Sequence, residues 1–218
     1  MRSLSLSDLW MILGALRWTV LLAVTTFACG SVIGLLVASS RSSRWPAARV
    51  CSRIYVEVIQ GTPLLGLLFL LFFGVPMLTG IQVSSFLAAV LAFSLSAGAF
   101  LGEIWRGSIE AVPKGQWEAA RSLGISHWHM LVHVIWPQAF RIALPPTVGF
   151  SVQLTKNTSL AALVGFVELT RSGQIVSGST LQPLLIYLLV ALCYFAICFP
   201  LARLSLSLEE RFNVAGHH

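Results

Sequence analysis

Few side chains in this sequence can do chemistry, and their spacing limits what that chemistry is. The chain has two lysines, Lys114 and Lys156, followed by Gly115 and Asn157. A Walker A phosphate loop needs Lys before Ser or Thr, so the chain is not expected to hydrolyse ATP itself. His129 and His133 are four residues apart with His127 nearby, but no acid completes a ligand spacing, so no metal site is expected. Cys29, Cys51, Cys193 and Cys198 contain no Cys-x-x-Cys pair. Three of them lie in apolar runs and read as small hydrophobes, not as a disulfide framework. Glu103, Arg106 and Glu110 (i, i+3, i+7) suit a structural charge ladder on one helix face. Glu168 and Arg171, at i, i+3, suit either an outward gate or a solvated pair. No catalytic set is expected.

The elements that must carry these groups are set by composition. Of 218 residues, 56% are hydrophobic and only 10% charged, and the mean hydropathy is +0.84. A soluble domain is usually about 25% charged, so a cytosolic enzyme, a nucleic-acid-binding domain and a disordered chain are excluded. A spanning helix needs about 20 mostly apolar residues. Trp18 to Ala38 supplies 21 without a charge, Val58 to Gly102 supplies 45, and Leu181 to Ala202 supplies 22. Ile142 to Val167 is apolar apart from Lys156. With a reversal at Pro76 to Gly80, five spans are predicted, at 18–38, 55–77, 84–106, 143–166 and 182–203.

Five spans put the termini on opposite sides, and the basic residues then sort unequally. Ten lie on one side (Arg41, Arg44, Arg49, Arg53, Arg106, Lys114, Arg121, Arg141, Arg203, Arg211), and three, Arg2, Arg17 and Arg171, on the other. The basic side is cytoplasmic by the positive-inside rule, so the N-terminus is predicted outside and the C-terminus inside. The net charge of +6 then follows from topology and needs no nucleic acid. Arg17 interrupts the N-terminal apolar stretch and the run after it is too long for a signal-peptide core, so the segment is expected to be retained. Residues 4–16, apolar at helical spacing, are expected along the outer interface. Gly30-xxx-Gly34 and Gly98-xxx-Gly102 have a spacing that permits close helix contact.

The loop at 107–142 is the most polar stretch and reads as two short helices. The first runs from Gly115 to Leu123 and ends at Gly124, where a left-handed cap costs little. Ser126 is placed to cap the second, which carries Trp128, Leu131, Val132 and Ile135 and is predicted to stop at Pro137. Ala119 and Ala120 are expected on the surface of the first helix, where small side chains let it enter another protein's groove. An ordinary amphipathic loop is the alternative.

Glu118-Ala119-Ala120, Gly124, Val134 and Pro137 resemble the EAA loop of ABC-importer permeases, with Val134 for the usual isoleucine and Trp136 for the usual leucine. Further segments resemble the polar-amino-acid branch of that family. Tyr55, Glu57, Gln60, Gly61, Thr62, Pro63 and Leu64 follow its Y-x-E-x-x-R-G-T-P-L pattern, with Gln60 in place of arginine. Ser96 to Gly107 resembles its A-Y-x-x-E-x-x-R-G segment. Lys156-Asn157-Thr158-Ser159-Leu160 followed by Glu168-Leu169-Thr170-Arg171 resembles K-D-T-S-L and E-L-T-R, with Asn157 for aspartate.

The resemblance implies an all-α integral membrane protein with a type I importer core, formed as one permease domain over 1–218. It implies that Glu118, Ala119, Ala120, Gly124 and Pro137 couple the permease to an ABC ATPase subunit. ATP and Mg would then sit on that partner, with no cofactor on this chain. A second permease subunit, an extracytoplasmic amino-acid-binding protein and the lipid of the bacterial inner membrane complete the expected partners. The expected pathway lining is Thr62, Pro63, Ser94, Ser96, Lys156, Thr158, Ser159 and Glu168, since small hydroxyls and a helix-breaking proline mark such sites. Each hydroxyl could instead bond back to its own helix. Lys156, near the midplane, is either half of a buried ion pair with Glu57, Glu103 or Glu168, or a group on the path that attracts a carboxylate. Gly66 and Phe100 replace glutamine and tyrosine of many relatives, which implies a less polar pocket. An importer for a sulfonate or metal ion is the alternative. A membrane scaffold or membrane-embedded enzyme fits less well, because the spans hold few catalytic side chains.

Overall fold

The computed structural model describes residues 4–41, 43 and 45–213. Its first helix, α1 (Leu6–Arg41), opens with Asp8 reaching back to Ser5. The Ser5 backbone N–H donates to Asp8 Oδ2 at 3.0 Å and the Ser5 hydroxyl donates to the same oxygen at 2.6 Å. No proline interrupts the 36 residues that follow, so the segment expected to lie along the interface is continuous with the first span. Its apolar face is occupied: Ile12 is buried against Leu169, Val176, Ile186 and Val190. Protein thus covers part of this segment, while Leu6, Trp10 and Leu13 stay exposed.

The next pair, α2 (Pro46–Gly61) and α3 (Leu64–Thr79), bends by 100° at Thr62-Pro63. Thr62 is extended (φ −98°, ψ 130°), as the residue before a proline prefers. The predicted span at 55–77 is therefore not a straight crossing. α3 closes at Gly80, whose positive φ of 72° lets its N–H reach Pro76 O, so the predicted reversal is present. α4 (Ser85–Glu110) covers the third predicted span and is the central helix. Both glycine stripes meet here. A Cβ on Gly30 would fall 2.5 Å from Ala97 Cβ and one on Gly34 2.9 Å from Leu101 Cβ, while Gly98 and Gly102 face Ile33 and Val37 as closely. Helices without side chains at the contact approach far enough to gain dispersion energy, the main attraction available in lipid.

After α4 come α5 (Lys114–Ser122), a short α6 (His127–Met130), a wide π-turn at Leu131–Ile135 and α7 (Trp136–Asn157). The helix does not stop at Pro137. Trp136 donates its N–H five residues back to Leu131 O, just as Val75 does to Leu70 O before Pro76. A proline ring collides with the carbonyl one turn earlier, and in both places a wide turn takes up the conflict so that the helix continues. The fourth predicted span, 143–166, is helical only to Asn157. A tight 3₁₀ turn, Thr158–Val164, follows, and Gly165 reverses the chain at φ 82°. α8 (Leu169–Thr180) and α9 (Pro183–Asn213) complete the described chain, with the fifth predicted span inside α9.

Every regular element among the described residues is helical. Three of these helices, α1, α4 and α9, are long and apolar enough to cross a bilayer, and the bent α2–α3 pair makes a fourth if it counts as one crossing. Leu22, Leu68, Phe93, Leu154 and Val164 form the main core where α1, α3, α4, α7 and the 3₁₀ turn meet.

Candidate functional site

The polar loop after α4 folds as a small unit with its own core. Val112, Ala120, Met130, Ile135 and Ala139 are buried together, with Trp117 and Ile125 packed on them. α5 ends in the expected way. Gly124 takes φ 68°, its N–H donates to Arg121 O at 3.0 Å, and the Ile125 N–H returns to Ala120 O at 3.2 Å. Ser126 occupies the capping position, but its side chain accepts no backbone bond. Its Oγ pairs instead with His129 Nδ1 at 2.8 Å. Glu118 and Ala119 face outward. Ala120 does not: it is 3% exposed, because the face that turns Glu118 and Ala119 outward turns its neighbour into the loop core. The expectation that both alanines lie on the surface holds for Ala119 alone.

The charge ladder forms as expected. Arg106 Nη2 lies 2.8 Å from Glu103 Oε2 and Nη1 lies 2.5 Å from Glu110 Oε2. It also reaches another helix, because Arg41 Nη2 at the end of α1 is 3.3 Å from Glu103 Oε1. This last contact is an ion pair without a directed hydrogen bond, since Glu103 Oε1 has no hydrogen-bond donor.

Glu168 is not half of a solvated surface pair. It is fully buried and caps α8, with Thr170 N–H donating to Oε2 and Arg171 N–H to Oε1, both at 2.9 Å. The Tyr194 hydroxyl of α9 donates to Oε2 at 2.7 Å. Burial raises this carboxyl above the ordinary range, and these three donors pull it back. The Arg171 side chain turns to Gln174 at 3.0 Å. One residue on, the Leu169 N–H donates to Thr19 Oγ1 of α1 at 3.0 Å. Three helices therefore join at this cap. Tyr194 and Thr19 were not singled out in the sequence. A tyrosine in an otherwise apolar span was the available signal, since a buried phenol needs a polar partner.

Lys156 departs from the buried-pair expectation. It is exposed on α7 and makes no ion pair among the described residues. The acids proposed for it are otherwise engaged or turned outward. Glu103 is held by two arginines, Glu168 by its cap, and Glu57 is exposed on α2.

The hydroxyls expected on a pathway are mostly satisfied locally. Thr62 donates to Val58 O at 2.7 Å, Thr158 to Thr155 O at 2.7 Å and Ser159 to Lys156 O at 2.8 Å. Ser94 is 3% exposed and its Oγ has no partner, while Ser96 is half-buried. Gln60 Nε2, beside the bend, donates to Ala99 O of α4 at 3.4 Å, but among the described residues no hydrogen bond joins the 3₁₀ turn to them, although the turn packs on both α3 and α4. Thr62 and Pro63 are exposed at the bend, and a side chain at Gly61 or Gly66 would enter open space. Phe100 stacks on Phe150 with centroids 5.7 Å apart. No group of three or more potential metal ligands occurs among the described residues.

Residues 30–214 match the family described as the binding-protein-dependent transport system inner membrane component. The chain is 40% identical over 206 residues to the L-cystine transport system permease protein TcyB of Bacillus subtilis, covering 94% of this chain and 88% of that one. It is 38% identical over 201 residues to the probable amino-acid ABC transporter permease protein YckA of the same organism, covering 92% and 88%. Among solved structures it resembles an amino acid ABC transporter described "with histidines", at a TM-score of 0.89 and 32% identity over 97% of this chain and all of that one.

Proposed function

The chain belongs to the family of binding-protein-dependent transport system inner membrane components, and we propose that it is the permease subunit of an ATP-driven importer of a polar amino acid or a close relative. The observation that carries this reading is the ordered helix-turn-helix after α4. Glu118 and Ala119 face out from a loop that supplies its own core. A loop with no partner has no need of such a platform. An ABC ATPase subunit would receive α5, hold ATP and Mg, and move the platform as it closes.

The π-turn at Leu131–Ile135 joins the platform to α7, and its 3₁₀ continuation packs against α3 and α4. Motion at α5 would thus reach the bend at Thr62-Pro63. There the broken helix leaves free backbone groups beside open space, the arrangement transporters use for ligands. Thr62, Pro63, Ser94, Ser96, Lys156, Thr158 and Ser159 remain the proposed lining. Glu168 belongs there only indirectly, as the cap that holds α8. A fifth crossing by α7, with the N-terminus outside and the C-terminus in the cytoplasm, fits the ten-to-three distribution of basic residues. A second permease subunit, an extracytoplasmic binding protein and a bacterial inner-membrane location complete the proposal.

The test is reconstitution of the permease with its ATPase subunit in vesicles. Loaded binding protein should stimulate ATP hydrolysis and drive uptake of a labelled polar amino acid. Stimulated hydrolysis with uptake of a sulfonate or metal ion instead would replace the substrate class. Absence of ATPase co-purification would overturn the transporter reading.

A further inference from the structure

An apolar groove of about 260 Å³ opens between α1 and α2, outside the proposed pathway and the coupling loop. Ile33, Leu36 and Val37 of α1 form one wall with Ser40 at its end, and Ala48, Cys51, Ser52 and Tyr55 of α2 form the other. Tyr55, one of its lining residues, donates its hydroxyl to Leu95 O of α4 at 2.7 Å, which ties α2 to the bundle along the groove. Its end lies at the turn between α1 and α2. There Arg49, the residue after the lining Ala48, donates from Nη1 to Ser43 O at 2.9 Å, which holds an exposed guanidinium at the turn. Arg53, one turn further along α2, and Trp45, 70% exposed, stand on the same short helix. Tryptophan prefers the headgroup level of a bilayer.

We infer that this groove binds one acyl chain of an anionic phospholipid, with Arg49 holding the headgroup phosphate. The mainly apolar walls suit a hydrocarbon chain. The positioned guanidinium selects the anion, because its planar fork matches phosphate oxygens. Basic pockets between spans at the cytoplasmic face are where anionic headgroups are recognised, and the charge distribution puts this turn on that face. The lipid would wedge α1 against α2 just ahead of the bend at Thr62-Pro63.

The experiment is native mass spectrometry of the full chain released from micelles holding equal phosphatidylglycerol and phosphatidylcholine with identical acyl chains. The wild type should retain phosphatidylglycerol over phosphatidylcholine by about five-fold, the factor that one arginine near an anionic surface supplies. Arg49→Gln should abolish the preference while keeping chain binding, and Cys51→Trp, which fills the groove, should reduce retention of both lipids. Arg211→Gln, far along α9, should change nothing. Equal retention of the two lipids by the wild type would overturn the proposal, as would loss of preference in Arg211→Gln equal to that in Arg49→Gln. Should Cys51→Trp misfold, chain occupancy is read instead from Cys51 itself. In a background with the other cysteines replaced, its maleimide labelling should slow when phosphatidylglycerol is added, and unchanged labelling counts against the groove. None of these readouts needs transport, so failure here is distinct from failure of the importer reading.

Discussion

The Tyr194 hydroxyl donates to Glu168 Oε2 at 2.7 Å, and so α9 holds the carboxylate that caps α8. Removing one partner of a buried pair costs more than the pair contributes, because the remaining group stays desolvated. Tyr194→Phe removes the tyrosine donor from Oε2 and leaves it to Thr170, which should cost about 1–3 kcal/mol. Glu168→Ala should cost more, since it also uncaps the helix. Melting of the purified permease measures both. Equal melting of Tyr194→Phe and wild type would mean that the cap stands without α9.

The contact between α1 and α4 has no room for side chains at its glycines. Gly30→Leu should lower yield and stability by about 1–3 kcal/mol or more. Gly14→Leu on the same helix should be neutral, since nothing lies within 4 Å of its added Cβ. Fluorescence-detected size exclusion of the two variants separates a packing effect from a general intolerance of bulk.

Ala119 and Ala120 are neighbours with opposite orientations, so bulk at each should fail differently. Ala119→Trp is expected to keep the melting temperature and lose stimulation of the partner ATPase by loaded binding protein, as is Glu118→Lys. Ala120→Trp should lower melting as well, because it overfills the loop core. Gly124→Pro, which imposes φ near −65° where the chain takes 68°, should behave like Ala120→Trp. Wild-type stimulation in both Ala119→Trp and Glu118→Lys would remove the docking role.

Lys156 loses no ion pair among the described residues when replaced. Lys156→Met should leave yield and melting within about 0.5 kcal/mol of wild type, as for an uninvolved surface site. If Lys156 lines the path as proposed, uptake should show a raised KM, because the cation would attract a carboxylate. A fall in yield would point to a partner outside this chain, most simply the second permease subunit.

Topology is read by labelling single cysteines in a background lacking the native four. Arg44 lies outside the described residues and Ser172 is fully buried, so neither position suits a label. Ala47→Cys and Ser179→Cys are exposed replacements. The first should label from the cytoplasmic side and the second from outside. Labelling of both from one side would remove one of the five proposed crossings.

What the sequence determined alone is what depends on composition and on the local backbone. Membrane residence follows from the long uncharged runs. The break at Thr62-Pro63, the reversal at Gly80 and the left-handed cap at Gly124 follow from the few conformations proline and glycine favour. The resemblance in the coupling loop was equally legible, because it lies in a short run of residues. Contacts between distant segments were not. Nothing local to Ala120 distinguishes it from Ala119 until Met130 and Ile135 fold over it. Nothing local to Lys156 reveals that Arg41 comes from another helix to take Glu103. Glu168 and Arg171 have the spacing of an ion pair, yet Tyr194 arrives 26 residues later and the carboxylate turns to cap its own helix. Backbone preferences act within a few residues and are written in order along the chain. Which charge meets which, and which face is covered, depends on helices that become neighbours only after packing, so the tertiary structure alone decided them.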